Sequence, residues 1–208
     1  RFLKQRTDML AAVSHDLRPP LTRMKLQLSL MPDNQAKQEL EHDIKEMTAM
    51  LNSYVNFVRG ETPEPIDNIA LNELIKEICK PLNSNKHQIT ESYKKNINTS
   101  GRPLQIKRAF QNIINNAIRY SSKIYITIDA NEEECFISVE DNGPGIPEKN
   151  YEDVFKPFFT LDPSRNKLKG ESGLGLTIAR DIIRSHGGDV KLFNSSMKGL
   201  KVLIDLPL

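Results

Sequence analysis

The apolar residues of this 208-residue chain change their spacing once, at Glu61-Thr62-Pro63-Glu64-Pro65, and that change constrains the fold more than any other feature. Before it, Leu10, Val13, Leu17, Leu21, Met24, Leu28 and Met31 step by three and four. After a break at Pro32-Asp33-Asn34, Leu40, Ile44, Met47, Leu51, Tyr54 and Val58 do the same. So narrow a stripe matches the 3.5-residue seam of coiled coils rather than a broad globular helix face. Two helices joined by a short loop make an antiparallel hairpin. One hairpin of this size cannot bury both stripes, so pairing with a second copy into a four-helix bundle completes it. The heptads alone also fit a plain helical spacer.

Beyond the break the pattern is mixed. Leu71, Leu74, Ile75, Ile78 and Leu82 mark an amphipathic helix, and Pro103 to Tyr120 a second, with proline in its first turn. Ile124, Ile126 and Ile128 alternate, as do Ile137 and Val139 after the polar turn Asn131–Glu134, which predicts a hairpin. Leu174 to His186 reads as a third helix stopped by Gly187-Gly188, and Val190, Leu192, Val202, Ile204 and Leu206 as two closing strands. The expected fold class is α + α/β: a helical hairpin forming a dimeric four-helix bundle, then an α/β sandwich with helices on one face of a mixed sheet. The domains expected are 1–61 and 69–208, with a linker over 62–68.

Composition removes several function classes. Hydrophobic residues at 38% and charged ones at 27% describe a soluble, core-forming chain rather than a disordered one. The net charge of +2 comes without a basic stripe interleaved with aromatics, so no nucleic-acid partner is expected. Cys79 and Cys135 lie far apart without metal-ligand spacing, which indicates neither a disulfide framework nor a zinc site and fits a reducing compartment. No apolar run approaches the ~20 residues needed to cross a bilayer. The chain opens at Arg1 inside a polar, helix-compatible stretch and reads as a piece of something longer.

Four groups of residues could carry chemistry. His15 lies two residues from Val13 and from Leu17, so at about 100° per residue it points away from the apolar stripe. Asp16 follows it. A neutral imidazole keeps one nitrogen lone pair free, and a carboxylate can take the proton from the other. Pro19 and Pro20 follow within the same stripe, and a kink is expected there because each removes an amide donor and clashes one turn back. The helix from Pro103 carries Asn112, Asn116, Arg119 and Tyr120 on the side opposite Phe110, Ile113 and Ala117. An amide oxygen is a hard ligand suited to Mg²⁺, and arginine suits phosphate. Asp141-Asn142-Gly143-Pro144-Gly145 ends a strand, where glycines admit a ligand to the backbone and the carboxylate can accept from an exocyclic amine. Gly170-Glu171-Ser172-Gly173-Leu174-Gly175 opens a helix whose free amides suit phosphate. Singly, each fits a bland reading as well: a solvated histidine, a polar helix face, an ordinary turn, a common glycine motif.

Together and in this order, the four resemble the H, N, first glycine and second glycine boxes of sensor histidine kinases of the EnvZ type. Phe155-Lys156-Pro157-Phe158-Phe159 looks like their F box. The resemblance spans essentially the whole chain. It implies a dimeric phosphoacceptor hairpin joined to a Bergerat-type (GHKL) ATP-binding domain, with ATP and Mg²⁺ as cofactors. It further implies a second copy and a response-regulator receiver domain as partners, in the cytoplasmic part of a bacterial sensor anchored in the inner membrane through segments outside this chain. By that match His15 is the phosphoacceptor and Asp16 its general base. Asn116 is the Mg²⁺ ligand, while Asn112, Arg119 and Tyr120 line the nucleotide. Asp141 reads adenine, Gly143 and Gly145 flank it, and Gly173, Leu174 and Gly175 receive the phosphates. The stretch from Leu161 to Gly170, with Arg165, Lys167 and Lys169, corresponds to the ATP lid.

The competing reading is an ATP-hydrolysing machine of the Hsp90, gyrase and MutL kind, which shares the nucleotide fold. Those enzymes place a glutamate one turn before the metal-binding asparagine. Here the position is Asn112, and an amide cannot act as general base. One departure from the kinase pattern stands out. Four residues after the histidine the EnvZ type has a threonine, thought to assist water in dephosphorylating the partner, and this chain has Pro19. Kinase activity is expected to survive and phosphatase activity to be weak.

Overall fold

The computed structural model describes residues 19–58, 64–83, 86–93, 95–161 and 173–208, with backbone only at Glu46 and 49–58. The chain divides into two compact units, Arg1–Thr62 with Thr160–Leu174 and Pro63–Phe159 with Gly175–Leu208.

In the first unit, helix α1 covers 19–29 and helix α2 covers Gln35–Val58. Pro19 and Pro20 are helical at the first described positions of α1, and the kink expected ahead of them lies outside the described residues. The break at 32–34 is a hairpin turn with a mechanism. Asn34 is the N-cap of α2, its Oδ1 accepting from the Lys37 amide at 2.8 Å. The heptad stripe then splits in two. Leu21 and Leu28, seven apart, bury against Ile44. Met24 and Met31, also seven apart, remain 45% and 40% exposed, and Leu40 and Met47 across the turn are 45% and 52% exposed.

The second unit is a two-layer α/β domain. Its main sheet has the order β2-β4-β5-β7-β6, from Gln88–Tyr93, Lys123–Ala130, Glu134–Asp141, Leu200–Pro207 and Asp189–Asn194. Only β2 with β4 is parallel; the other pairings are antiparallel. The period-2 pattern sends Ile124, Ile126 and Ile128, Ile137 and Val139, and Val202, Ile204 and Leu206 into one core. The hairpin β4–β5 has its polar turn fixed by Asn131, whose Oδ1 accepts from the amides of Glu133 and Glu134 at 2.9 and 2.7 Å.

Three helices cover that face: α3 (Leu71–Cys79), α4 (Pro103–Tyr120) and α5 (Gly175–Ser185). α4 buries Ile106, Ala109, Phe110, Ile113, Ile114 and Ala117, a stripe of threes and fours facing the sheet. Burying Phe110 alone contributes about 2–3 kcal/mol. A second, two-stranded antiparallel sheet joins β1 (Asp67–Ala70) to β3 (Asn98–Gly101), an element the sequence does not predict.

α4 begins without a side-chain cap from its own N-cap residue, Arg102. Glu64 supplies the cap instead, its carboxylate accepting from the amides of Leu104 and Gln105 at 2.6 and 3.3 Å. A carboxylate there also complements the positive end of the helix dipole. Glu64→Ala is therefore expected to lower stability by about 1 kcal/mol, read by chemical denaturation. An unchanged midpoint would show the contact to be idle.

Candidate nucleotide site

One wall of the site is the polar side of α4. Asn112 and Asn116 are half-buried on it, and Arg119 and Tyr120 stand exposed at its end. The eight helical rises from Asn112 to Tyr120 make this wall about 12 Å long. Arg108 extends the same stripe one turn earlier, where burial pushes its guanidinium down from its ordinary value; the sequence reading passed over it.

The Tyr120 end of the wall meets the end of β5. Asp141 is 4% exposed, and its Oδ1 accepts from the amides of Gly143 at 2.8 Å and Leu200 at 3.2 Å. Burial pushes the carboxyl up from the ordinary range, and those two amides pull it back. Among the described residues Oδ2 has no hydrogen-bond partner, which leaves one acceptor oxygen on a fixed carboxylate. Gly143 has no room for a side chain: a Cβ would lie 2.8 Å from the Tyr120 carbonyl oxygen and 2.9 Å from Asp141 Oδ1. Gly145 follows at φ 69°, in the left-handed region that favours glycine.

Gly199, absent from the sequence reading, is the tightest point of the site. A Cβ there would overlap the carbonyl oxygen and Oδ1 of Asp141 and lie 2.6 Å from the Gly143 amide. The hairpin that delivers it is anchored by Glu140, which accepts from the hydroxyls of Ser195 and Ser196 and pairs with Lys201 at 3.2 Å. The only local signal was a glycine after a polar run, the mark of any turn.

At the other end of the wall, a Cβ on Gly175 would make ordinary contact with Asn112 Cβ at 4.0 Å. Gly175 is the first residue of α5 and the start of its row of free amides. Just before it, Gly173 has φ 62° and Leu174 is fully buried. Asn112 Nδ2 is buried with no partner among the described residues. Such an orphan amide is costly unless a ligand or water satisfies it. Orphan donor, open acceptor on Asp141 and closely approached glycines all fit a nucleotide. Among the described residues no group of three His, Cys, Asp or Glu side chains could hold a metal ion. A divalent cation here would thus depend on the amide oxygen of Asn116 and on oxygens brought by the ligand. His15, Asp16 and Arg165 lie outside the described residues, as does the lid stretch apart from Leu161.

Two family profiles match the chain. Residues 5–63 match the His Kinase A (phospho-acceptor) domain, and residues 101–208 match the histidine kinase-, DNA gyrase B- and HSP90-like ATPase. The sensor histidine kinase GtrS of Pseudomonas aeruginosa is 32% identical over 214 residues, covering 100% of this chain and 43% of its own length. The sensor histidine kinase CpxA of Escherichia coli is 30% identical over 220 residues, covering 100% of this chain and 48% of its own. The chain thus spans less than half the length of these relatives. Among solved structures, the catalytic domain of the histidine kinase ThkA superposes with a TM-score of 0.60 at 28% identity, over 69% of this chain and 97% of that one. No described helix is long and apolar enough to cross a membrane. With both profiles in kinase order and matches at 30% identity or above over the whole of this chain, it belongs to the sensor histidine kinases and carries their phosphoacceptor domain followed by their ATP-binding domain.

Proposed function

We propose that this chain is the catalytic core that transfers the γ-phosphoryl group of ATP to its own His15, and from there to an aspartate of a response-regulator receiver domain. The observation that carries the reading is the pairing, in one chain, of a phosphoacceptor profile over 5–63 with an ATPase-type domain whose Asp141 keeps one oxygen open. In this reading Oδ2 of Asp141 accepts from the adenine amine, and Gly143 and Gly145 let the ring approach. Asn112, Arg119 and Tyr120 line the sugar and phosphates, and Gly173, Leu174 and Gly175 donate amides to the phosphate oxygens, with Arg165 as a lid cation. Asn116 is the side chain placed to hold Mg²⁺, which when bound neutralises phosphate charge.

An imidazole nitrogen of His15 attacks the γ-phosphorus, its bond to the bridging oxygen breaks, and ADP leaves. Asp16 takes the proton from the other ring nitrogen. Asn112 occupies the place where a hydrolase needs a carboxylate, so water is left without a base.

We divide the chain into the phosphoacceptor domain over 1–61, the linker over 62–68 and the ATP-binding domain over 69–208. From Glu64 onward that linker is tied to the ATP-binding domain, through Glu64 on α4 and through strand β1. The bare heptad positions Met24, Met31, Leu40 and Met47 support a homodimer, since a second hairpin is the surface that would cover them. The whole protein is read as a bacterial inner-membrane sensor with this part in the cytoplasm.

Incubation with γ-labelled ATP tests the proposal. Acid-labile, alkali-stable label on the protein is expected, followed by its transfer to a receiver domain. Free phosphate without labelled protein would point to an ATP-driven machine, and neither product to a scaffold. In the same assay, Pro19 is expected to make ADP-stimulated dephosphorylation of the receiver weak, because proline offers neither hydroxyl nor amide hydrogen. Brisk dephosphorylation would overturn that part.

A further inference from the structure

Among the described residues Arg180 is the one cationic side chain that is buried, at 8% exposure. It sits on α5, one and a half turns past Gly175, and its guanidinium reaches two other elements, β6 and a short 3₁₀ turn. Nε donates to Asp189 Oδ1 at 2.9 Å, at the start of β6. Nη1 donates to Glu152 Oε2 at 2.8 Å, beside the short 3₁₀ turn Asp153–Phe155. Cζ lies 4.2 Å from the centroid of the Phe155 ring, a buried residue of that turn. Arg184 shares Asp189 from the next turn of α5, Nε to Oδ1 at 2.8 Å. Burial works against the Asp189 carboxylate, and the bonds from Arg184 and Arg180 overcome it and hold its carboxyl well below the usual range. Thr177, one turn before Arg180 on the same face of α5, has a buried hydroxyl with no partner among the described residues.

A buried guanidinium is expensive unless its fork is filled, and here two carboxylates and an aromatic face fill it. The location gives it a consequence. Phe159 is the last residue of the second unit before the chain leaves it, and Gly175 is the residue at which the chain returns. The turn that carries Phe155 leads into Phe159, and it is under strain: Phe158, not a glycine, has φ 63°. Val154 and Phe155 of that turn pack in the core that also takes Ala179 and Ile183 of α5, with Phe159 against it, and Arg180 adds a polar tie between the turn and the helix.

We propose that Arg180 is a positioning residue for the phosphate end of the bound nucleotide, clamping the 153–159 turn to α5 so that the amides at Gly175 keep their placement. The inference rests on the ATP-binding reading above and adds a residue to it. Asp141 and Gly143, at the opposite end of the wall, are outside its reach, so the phosphate and adenine ends should respond differently.

The test titrates the full chain with Mg²⁺-ATP and, separately, with adenosine, for wild type, Arg180→Met, Arg180→Lys and Glu152→Gln. Arg180→Met is expected to weaken ATP binding about tenfold while adenosine binding changes by less than about twofold. Arg180→Lys should recover part of the loss, since an ammonium can sit over Phe155 but cannot bridge Glu152 and Asp189 with a planar fork. Glu152 has a side chain 79% exposed, so its variant keeps the test alive should Arg180→Met not fold. It should show the same selective loss, smaller. Equal losses for ATP and adenosine, or no loss in Glu152→Gln and Arg180→Lys, would overturn the clamp. A wild type that binds adenosine but shows no gain for ATP would instead overturn the ATP-binding reading itself, and the inference with it.

Discussion

Replacing His15 with glutamine is expected to reduce autophosphorylation to background while leaving the affinity for Mg²⁺-ATP within about twofold of wild type. A glutamine amide keeps the size and polarity of the side chain but has no nucleophilic nitrogen lone pair. The two functions lie in different parts of the chain, the phosphoacceptor match ending at residue 63 and the ATPase match starting at 101. Asn116→Ala should instead remove Mg²⁺-dependent nucleotide binding, and autophosphorylation with it, although His15 is intact. Labelling with γ-labelled ATP and a parallel nucleotide titration read both. Loss of ATP binding in His15→Gln, or residual label on another residue, would contradict the assignment.

Gly199→Ala should be the most damaging of the glycine-to-alanine substitutions around Asp141. The added methyl has nowhere to go, because the atoms it meets are the backbone of Asp141 and Gly143 and the carboxylate itself. Either β5 and β7 separate locally, or Asp141 leaves the amides of Gly143 and Leu200. The cost is expected to be about 3 kcal/mol or more, a fall in Tm of roughly 10 °C, together with loss of measurable adenine binding. Thermal unfolding and nucleotide titration check it. Gly175→Ala is the control for stability, since its methyl would find Asn112 Cβ at an ordinary 4.0 Å. A Gly199→Ala protein that melts and binds like wild type would show that the β7 strand does not set Asp141.

Much of the architecture is written in local pattern. α4 spans Pro103–Tyr120 as its apolar period and N-terminal proline predict, and the β4–β5 hairpin turns on Asn131 as expected. Those features depend on neighbours within a few residues. The strands β1, β2 and β3 are different. β2 is an edge strand with a single buried residue, Ile89, so its alternation barely registers. β1 and β3 are four residues each and exist because Asp67 pairs with Gly101, a partner no window of sequence contains.

The candidate site divides along the same line. Residue types and order alone selected Asn112, Asn116, Asp141, Gly143 and Gly175 and named the family, since each motif needs only its own few positions on one element. The heptad stripe likewise foretold a hairpin but not that Leu21 and Leu28 would be covered while Met24 and Met31 stay bare. What only the tertiary structure decided is which groups hold those residues in place. Leu200 binds Asp141 across 59 positions of sequence, Gly199 makes room for it, and Arg180 joins Glu152 to Asp189. Partners of a buried charge are fixed by sheet register and helix packing, and those are settled only when the whole domain has closed around its core.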